Sequence, residues 1–142
     1  YKARQDAPAY RELKRHVTCL CPIDPMDVDN GCLEFAAGPW DRLLDTTDDG
    51  VISPAVAKTL TWVQVPLAVG DVVVFSSYVP HRSLPNRSNR PRRALYLTFN
   101  PAEDGVSFFF FFFQAEDGIM GLFLWVPYMN HTARAQIGRA HG

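Results

Sequence analysis

The chain has 142 residues, of which 47% are hydrophobic and 20% are charged, a composition typical of a single soluble globular domain. Its formal net charge of -1 argues against a dedicated binder of nucleic acid or anionic membranes, because such a protein needs an excess of basic residues. The three cysteines, Cys19, Cys21 and Cys32, form no paired pattern. This argues against a disulfide framework and favours a reducing, cytoplasmic compartment.

Short predicted strands separated by turns dominate the chain up to residue 105. The strands are expected over residues 16–23, 32–35, 62–67, 72–75 and 94–99. Turn signals at Asp24-Pro25 and Asp29-Asn30-Gly31 separate the first two of them. The continuous apolar run Val72–Phe75 predicts a strand that is buried on both faces, and one short helix is expected over residues 54–60 with Ser53 as its N-cap. Many short strands with little helix predict an all-β barrel or jelly roll.

The character of the sequence changes after residue 105. Phe108 to Phe113 is a run of phenylalanines, which folded domains avoid because an exposed apolar homopolymer aggregates. Gln114 to Ile119 is what CAA GCA GAA GAC GGC ATA encodes, and Gln136 to His141 is what CAG ATC GGA AGA GCA CAC encodes, and both strings resemble sequencing adapters. We therefore expect residues 106–142 to be a non-native read-through tail. Residues 1–105 are then a fragment of one domain that lacks its N-terminal strands.

The segment from Gly70 to Leu95 contains the residues best suited to chemistry. A buried strand is expected to deliver His81 to its end, a polar turn follows, and Arg92 enters the next strand. A non-haem iron centre needs two imidazoles and one carboxylate on one face, and a dicarboxylate cosubstrate needs a guanidinium, whose planar fork grips a carboxylate. The alternative is a structural histidine at the end of a strand, next to a solvated basic cluster that includes Arg82, Arg87, Arg90 and Arg93.

His81 and Arg92 resemble, in type and spacing, the distal iron histidine and the 2-oxoglutarate arginine of the phytanoyl-CoA dioxygenase family. Ser83 falls where that family places a second cosubstrate contact. Asn30-Gly31-Cys32-Leu33-Glu34 resembles the turn between the two halves of the family's site. The resemblance covers about residues 1–105 and implies a double-stranded β-helix, a jelly roll of the cupin-like type.

The opening element is similar to the family's His-Gln-Asp-Ala-Pro-Ala-Tyr motif, and Asp6 matches its iron-binding carboxylate. Arg4 occupies the position of the histidine, and a guanidinium has no lone pair to offer a metal. We interpret His16 as an ordinary histidine at the start of a strand and not as a replacement ligand. The resemblance thus implies two iron ligands, Asp6 and His81, and a missing third.

The resemblance also implies Fe(II), 2-oxoglutarate and O2 as cofactor and cosubstrates, with succinate and carbon dioxide formed as a small organic substrate is hydroxylated. The motifs look most like those of hydroxylases of small alkylphosphonates, such as 2-aminoethylphosphonate, and Arg82 beside His81 is predicted to contact the phosphonate. The alternative is a catalytically inactive fragment or a pseudoenzyme binding domain, in which Arg4 supplies a fixed positive charge instead of a metal. Small molecules are the expected partners, with no nucleic acid and no membrane.

Overall fold

The computed structural model describes residues 2–7, 16–48, 50–99 and 101, together with the backbone of residues 108–115 and 118–125. The strands and the helix of this part follow one another as β1 (Val17–Pro22), β2 (Leu33–Ala36), α1 (Pro54–Thr59), β3 (Trp62–Val65), β4 (Val73–Ser76), β5 (His81–Ser83), β6 (Ala94–Phe99), β7 (Phe108–Ala115) and β8 (Gly118–Trp125). The described part of the chain contains no helix that is long and apolar enough to cross a membrane.

Two antiparallel three-stranded sheets, ordered β4-β1-β6 and β3-β2-β5, pack face to face. The rings of Phe35 on β2 and Phe75 on β4 lie 4.9 Å apart between their centroids, so the two sheets meet there. The buried apolar cluster around this contact comprises Leu20, Met26, Cys32, Leu33, Phe75 and Ala94. This architecture confirms the predicted all-β jelly roll.

Side chains along β1 and β5 alternate between buried and more exposed positions, as the two-residue period of a strand requires. Thr18 and Leu20 point into the interior from β1. On β5, His81 and Ser83 are buried and Arg82 between them is not. The interior face of β5 therefore carries His81 and Ser83, and its other face carries Arg82.

The prediction for residues 72–75 was wrong in two respects. First, Val72 and Val74 are 56% and 60% exposed, because β4 is an edge strand and its outer face is uncovered. Second, this strand does not deliver His81. The chain turns after Ser76 and crosses to the other sheet, where His81 begins β5. A strand of three residues is too short to give a periodic signal, so only its pairing with β2 defines it.

The predicted helix is present and ends at Thr59. The Ser53 hydroxyl accepts a hydrogen bond from the Val56 amide at 3.3 Å, as an N-cap does, and Pro54 occupies the first turn. The indole N–H of Trp62 donates to the Ala57 carbonyl at 2.9 Å and joins the helix to the start of β3.

The chain beyond residue 107 forms an antiparallel hairpin over the described backbone. β7 and β8 pair from Phe108 opposite Trp125 to Ala115 opposite Gly118, and they make a two-stranded sheet separate from the other two. The prediction that residues 106–142 are a non-native tail depends on side chains and residues outside the described part, and it stays a prediction.

Candidate metal and cosubstrate site

His81 occupies the interior at the first position of β5, where it contacts aromatic rings from both sheets. Its ring lies 6.3 Å from that of Phe35 and 5.2 Å from that of Phe75. The Nδ1 atom lies 3.0 Å from the Val79 carbonyl oxygen, which can only accept, so Nδ1 carries the hydrogen. In the neutral ring the lone pair is then on Nε2, which lies 3.7 Å from Oδ1 of Asp6. This orientation is that of a metal-binding histidine whose second nitrogen is fixed by a backbone carbonyl.

The opening segment lies beside β5 and brings Arg4 and Asp6 to the same face as His81. The Arg4 amide donates to the His81 carbonyl at 3.0 Å, and the His81 amide donates to the Arg4 carbonyl at 2.9 Å. Side chains of directly paired residues share a face, and so do residues two apart on one chain. Arg4, Asp6 and His81 therefore converge, although Arg4 and His81 are far apart in the chain.

Gln5, between Arg4 and Asp6, points the other way and is fully buried. Its amide group donates to the carbonyls of Arg42 and Tyr78 and accepts from the Leu44 amide. The side chain thus ties the opening segment to the loop before β5. The opening motif includes Gln5, but no role was predicted for it, because the nearest hydrogen-bonding partner of its side chain is 37 residues away.

The described residues do not fit a resident iron ion. Asp6 and His81 match two of the three ligand positions, and Nε of Arg4 lies 3.3 Å from Oδ1 of Asp6, where a third ligand would have to approach. A guanidinium is permanently charged and donates only. Within the described part of the chain, no group of three or more histidine, cysteine, aspartate or glutamate side chains is placed to hold a metal. His16, which is buried just before β1, therefore does not replace the missing ligand.

Arg92 is buried close to the C-terminal end of β5. Only 7% of it is exposed, and Nη1 donates to the Leu84 carbonyl at 3.4 Å. Ser83, also buried, lies opposite Leu33 on β2 and two residues beyond His81, a separation of about 6.6 Å along the strand. The Ser83 hydroxyl and the Arg92 guanidinium therefore lie near the C-terminal end of β5, past His81, where both could contact a carboxylate.

Gly31 creates the space in which the Arg92 guanidinium lies. Its φ of +78° suits glycine, and a Cβ there would lie 2.3 Å from the Leu84 carbonyl oxygen, 2.9 Å from that of Pro85 and 3.0 Å from Nη1 of Arg92. The sequence motif marked this turn by resemblance, and the structure supplies the physical reason for its glycine.

Two ion pairs hold the chain on either side of Arg92. Asp24 accepts from Nε and Nη2 of Arg93, both at 2.8 Å, and from the Arg93 amide at the same distance. Asp27 accepts from Nη2 of Arg90 at 2.8 Å. Arg93 thus points outward and Arg92 inward, as the predicted register of this segment requires.

Acid should weaken these two pairs. The Arg93 guanidinium holds the pKa of Asp24 below its ordinary value, and the Asn30 amide, followed by Arg90, does the same for the pKa of Asp27. A carboxyl group with a lowered folded-state pKa stabilises the fold above its unfolded pKa of about 4, and that contribution is lost as the pH falls through the lower folded value.

We therefore expect the urea midpoint to fall as the pH is lowered below about 5, and Asp24→Asn to remove part of that dependence. Asp29→Asn, in the exposed turn that follows Met26, is the control and should leave the pH dependence in place. Identical pH profiles for Asp24→Asn and the unmodified chain would contradict this prediction.

The structure does not bring Arg82 together with the other predicted site residues. Its Nε lies 2.6 Å from Oε2 of Glu34, and its guanidinium stacks on Trp62 at 4.2 Å from the ring centre. These contacts are on the outer face of the sheet, beside a cavity of about 550 Å³ that is also lined by Lys2 and Lys58. Arg82 therefore lies next to His81 in sequence but on the opposite face, and its contact with a substrate stays a prediction.

The fold is thus that of the double-stranded β-helix class, with a candidate site between its two sheets. The family model for phytanoyl-CoA dioxygenase (PhyH) matches residues 1–94, and the chain belongs to this family.

Two curated relatives have names that describe phosphonate chemistry. The chain is 45% identical over 106 residues to a methylphosphonate hydroxylase of Gimesia maris, an alignment that covers 74% of the chain and 41% of that protein. It is 38% identical over 104 residues to a 2-aminoethylphosphonate dioxygenase of an uncultured bacterium, with coverage of 71% and 40%. The chain thus spans about two fifths of the length of these relatives.

Solved structures support the same fold. EvdO2 of Micromonospora carbonacea in complex with 2-oxoglutarate is 26% identical, with a TM-score of 0.51 over 71% of this chain and 47% of that one. The epimerase SnoN in complex with Fe3+, α-ketoglutarate and nogalamycin RO is similar in fold alone, at 24% identity and a TM-score of 0.52 over 73% and 45% of the two chains.

Proposed function

We propose that the complete protein is an Fe(II)- and 2-oxoglutarate-dependent dioxygenase that hydroxylates a small alkylphosphonate and releases succinate and carbon dioxide. The observation that carries the proposal is the convergence of Asp6, His81 and Ser83 on one interior face, with Arg92 buried beside it. The names of two relatives, a methylphosphonate hydroxylase and a 2-aminoethylphosphonate dioxygenase, support the substrate class.

Each of these residues has a defined role in the proposal. The Arg92 guanidinium binds the distal carboxylate of 2-oxoglutarate through a charge-assisted pair, and the Ser83 hydroxyl donates to the same carboxylate. His81 would offer the Nε2 lone pair and Asp6 an oxygen to the metal once a histidine replaces Arg4. Phe35 and Phe75 pack against the imidazole and keep water from that side of the site.

A second candidate function is a non-catalytic domain that binds 2-oxoglutarate or a similar dicarboxylate. The ion pair between Arg4 and Asp6, 3.3 Å long, favours it, because a fixed cation then stands where the family places a metal ligand. The two candidates share the Arg92 pocket and differ in whether 2-oxoglutarate is consumed.

Turnover of 2-oxoglutarate tests the choice in the complete protein. With Arg4→His, succinate should form about tenfold faster when methylphosphonate or 2-aminoethylphosphonate is added, which corresponds to about 1.4 kcal/mol. His81→Ala in the same background should abolish the stimulated rate, because it removes a proposed metal ligand. Stimulation by acyl-CoA thioesters and not by phosphonates would refute the substrate class and leave the reaction class standing. Absence of succinate under all conditions would favour the binding domain.

A further inference from the structure

We infer that this chain binds 2-oxoglutarate without a divalent metal, with the Arg4 guanidinium acting as the cation for the carboxylate that a metal would otherwise engage. The inference rests on the proposed cosubstrate pocket, in which Arg92 and Ser83 bind one carboxylate of 2-oxoglutarate. It concerns the group that binds the other carboxylate.

Backbone hydrogen bonds on both sides of the opening segment fix the position of Arg4 beside His81. Beyond its two bonds with His81, Arg4 forms a bridge to Val51, and its neighbours continue this pairing because the Ile52 amide donates to Ala3 and the Gln5 amide to Gly50. The segment is therefore hydrogen-bonded on both sides, and the guanidinium starts from a Cα that is fixed beside His81.

The charges of the site favour an anion over a divalent cation. Asp6 and Arg4 already form an ion pair at 3.3 Å, so an approaching metal meets one imidazole and one carboxylate whose negative charge is already offset by Arg4. A dicarboxylate meets Arg4 at one end and the buried Arg92 at the other. The Arg4 side chain is 42% exposed, so a ligand that enters from solvent can reach it.

The backbone spacing along β5 is compatible with a five-carbon diacid. Arg4 is paired with His81, and Ser83 lies two residues further along β5. The backbone positions of His81 and Ser83 are therefore about 6.6 Å apart. An extended 2-oxoglutarate bridges such a distance between its two carboxylates. In this binding mode the 2-oxo group makes no metal contact, and it adds little to the affinity.

Calorimetric titration of the chelator-treated chain tests the inference. 2-Oxoglutarate should bind, and the addition of Mn²⁺ or Zn²⁺ should change its affinity by less than about threefold. Glutarate, which lacks the 2-oxo group, should bind within about threefold of 2-oxoglutarate. Arg4→Gln, which keeps hydrogen bonding and removes the charge, should weaken both ligands about tenfold or more.

Arg4→His should reverse this behaviour. Binding by the metal-free variant should be weak, the metal should restore it, and 2-oxoglutarate should then bind at least about tenfold more tightly than glutarate, because only the 2-oxo acid chelates. Lys58→Gln, which removes a cation next to the outer-face cavity, is the matched control and should have no effect on either ligand.

The possible failures are distinct. Binding of 2-oxoglutarate by the unmodified chain only when metal is present would overturn the inference and leave the proposed function intact, and so would a large preference for 2-oxoglutarate over glutarate without metal. Absence of binding with and without metal, in a chain that circular dichroism shows to be folded, would overturn both the inference and the proposed pocket.

Discussion

Gly31→Ala should destabilise the fold by about 2–5 kcal/mol and weaken 2-oxoglutarate binding as well. The left-handed backbone at Gly31 costs alanine about 1–2 kcal/mol, and the overlap of the new Cβ with carbonyl oxygens at 2.3 and 2.9 Å adds about 1–3 kcal/mol. Because these atoms are backbone, they cannot rotate away as a flexible side chain would. The third contact, with Nη1 of Arg92 at 3.0 Å, forces the guanidinium to move, and this links stability to ligand affinity.

Gly70→Ala provides a matched control for this prediction. Gly70 has a φ of +101°, but a Cβ there would meet no atom within 4 Å. This variant should therefore show only the backbone cost of about 1–2 kcal/mol and no change in ligand affinity. Chemical denaturation and calorimetry of both variants separate strain from displacement of Arg92. Equal ligand affinities for Gly31→Ala and Gly70→Ala would contradict the assigned role of Gly31.

Arg92→Lys should weaken 2-oxoglutarate binding by about 1.5–3 kcal/mol, which corresponds to roughly 10–150-fold. Lysine keeps the positive charge and loses the planar fork that binds a carboxylate through two parallel hydrogen bonds. It also loses the donor that reaches the Leu84 carbonyl. The affinity for the substrate should change much less, since the proposed contact of Arg92 is with the cosubstrate alone.

The neighbouring arginine is the control for this second prediction. Arg93 is half exposed and pairs with Asp24 on the outer side, so Arg93→Lys should leave 2-oxoglutarate affinity almost unchanged. Titration of both variants in the same buffer gives the comparison. A larger loss for Arg93→Lys would mean that the strand presents its side chains the other way, because a shift of one residue exchanges the two faces of a strand.

Local patterns were sufficient where the physical cause is itself local. The cap at Ser53 and the first-turn proline depend on a few adjacent residues, and both were predicted correctly. The strand at residues 94–99 was predicted with the bounds that β6 has, because its apolar residues are contiguous. The prediction of β4 as a strand buried on both faces failed, since an edge strand and a central strand with similar side chains differ only in their neighbours.

The sequence by itself determined the family, the strand-rich class of the fold and the identities of Asp6, His81, Ser83 and Arg92 as candidate site residues, because these depend on residue types and short spacings. Only the tertiary structure decided which side chains share a face. The pairing of Arg4 with His81 places a guanidinium beside Asp6, and the alternation along β5 places Arg82 on the face opposite to His81. Both outcomes arise from hydrogen bonds between segments far apart in the chain, and a local pattern contains no information about the register of such pairs.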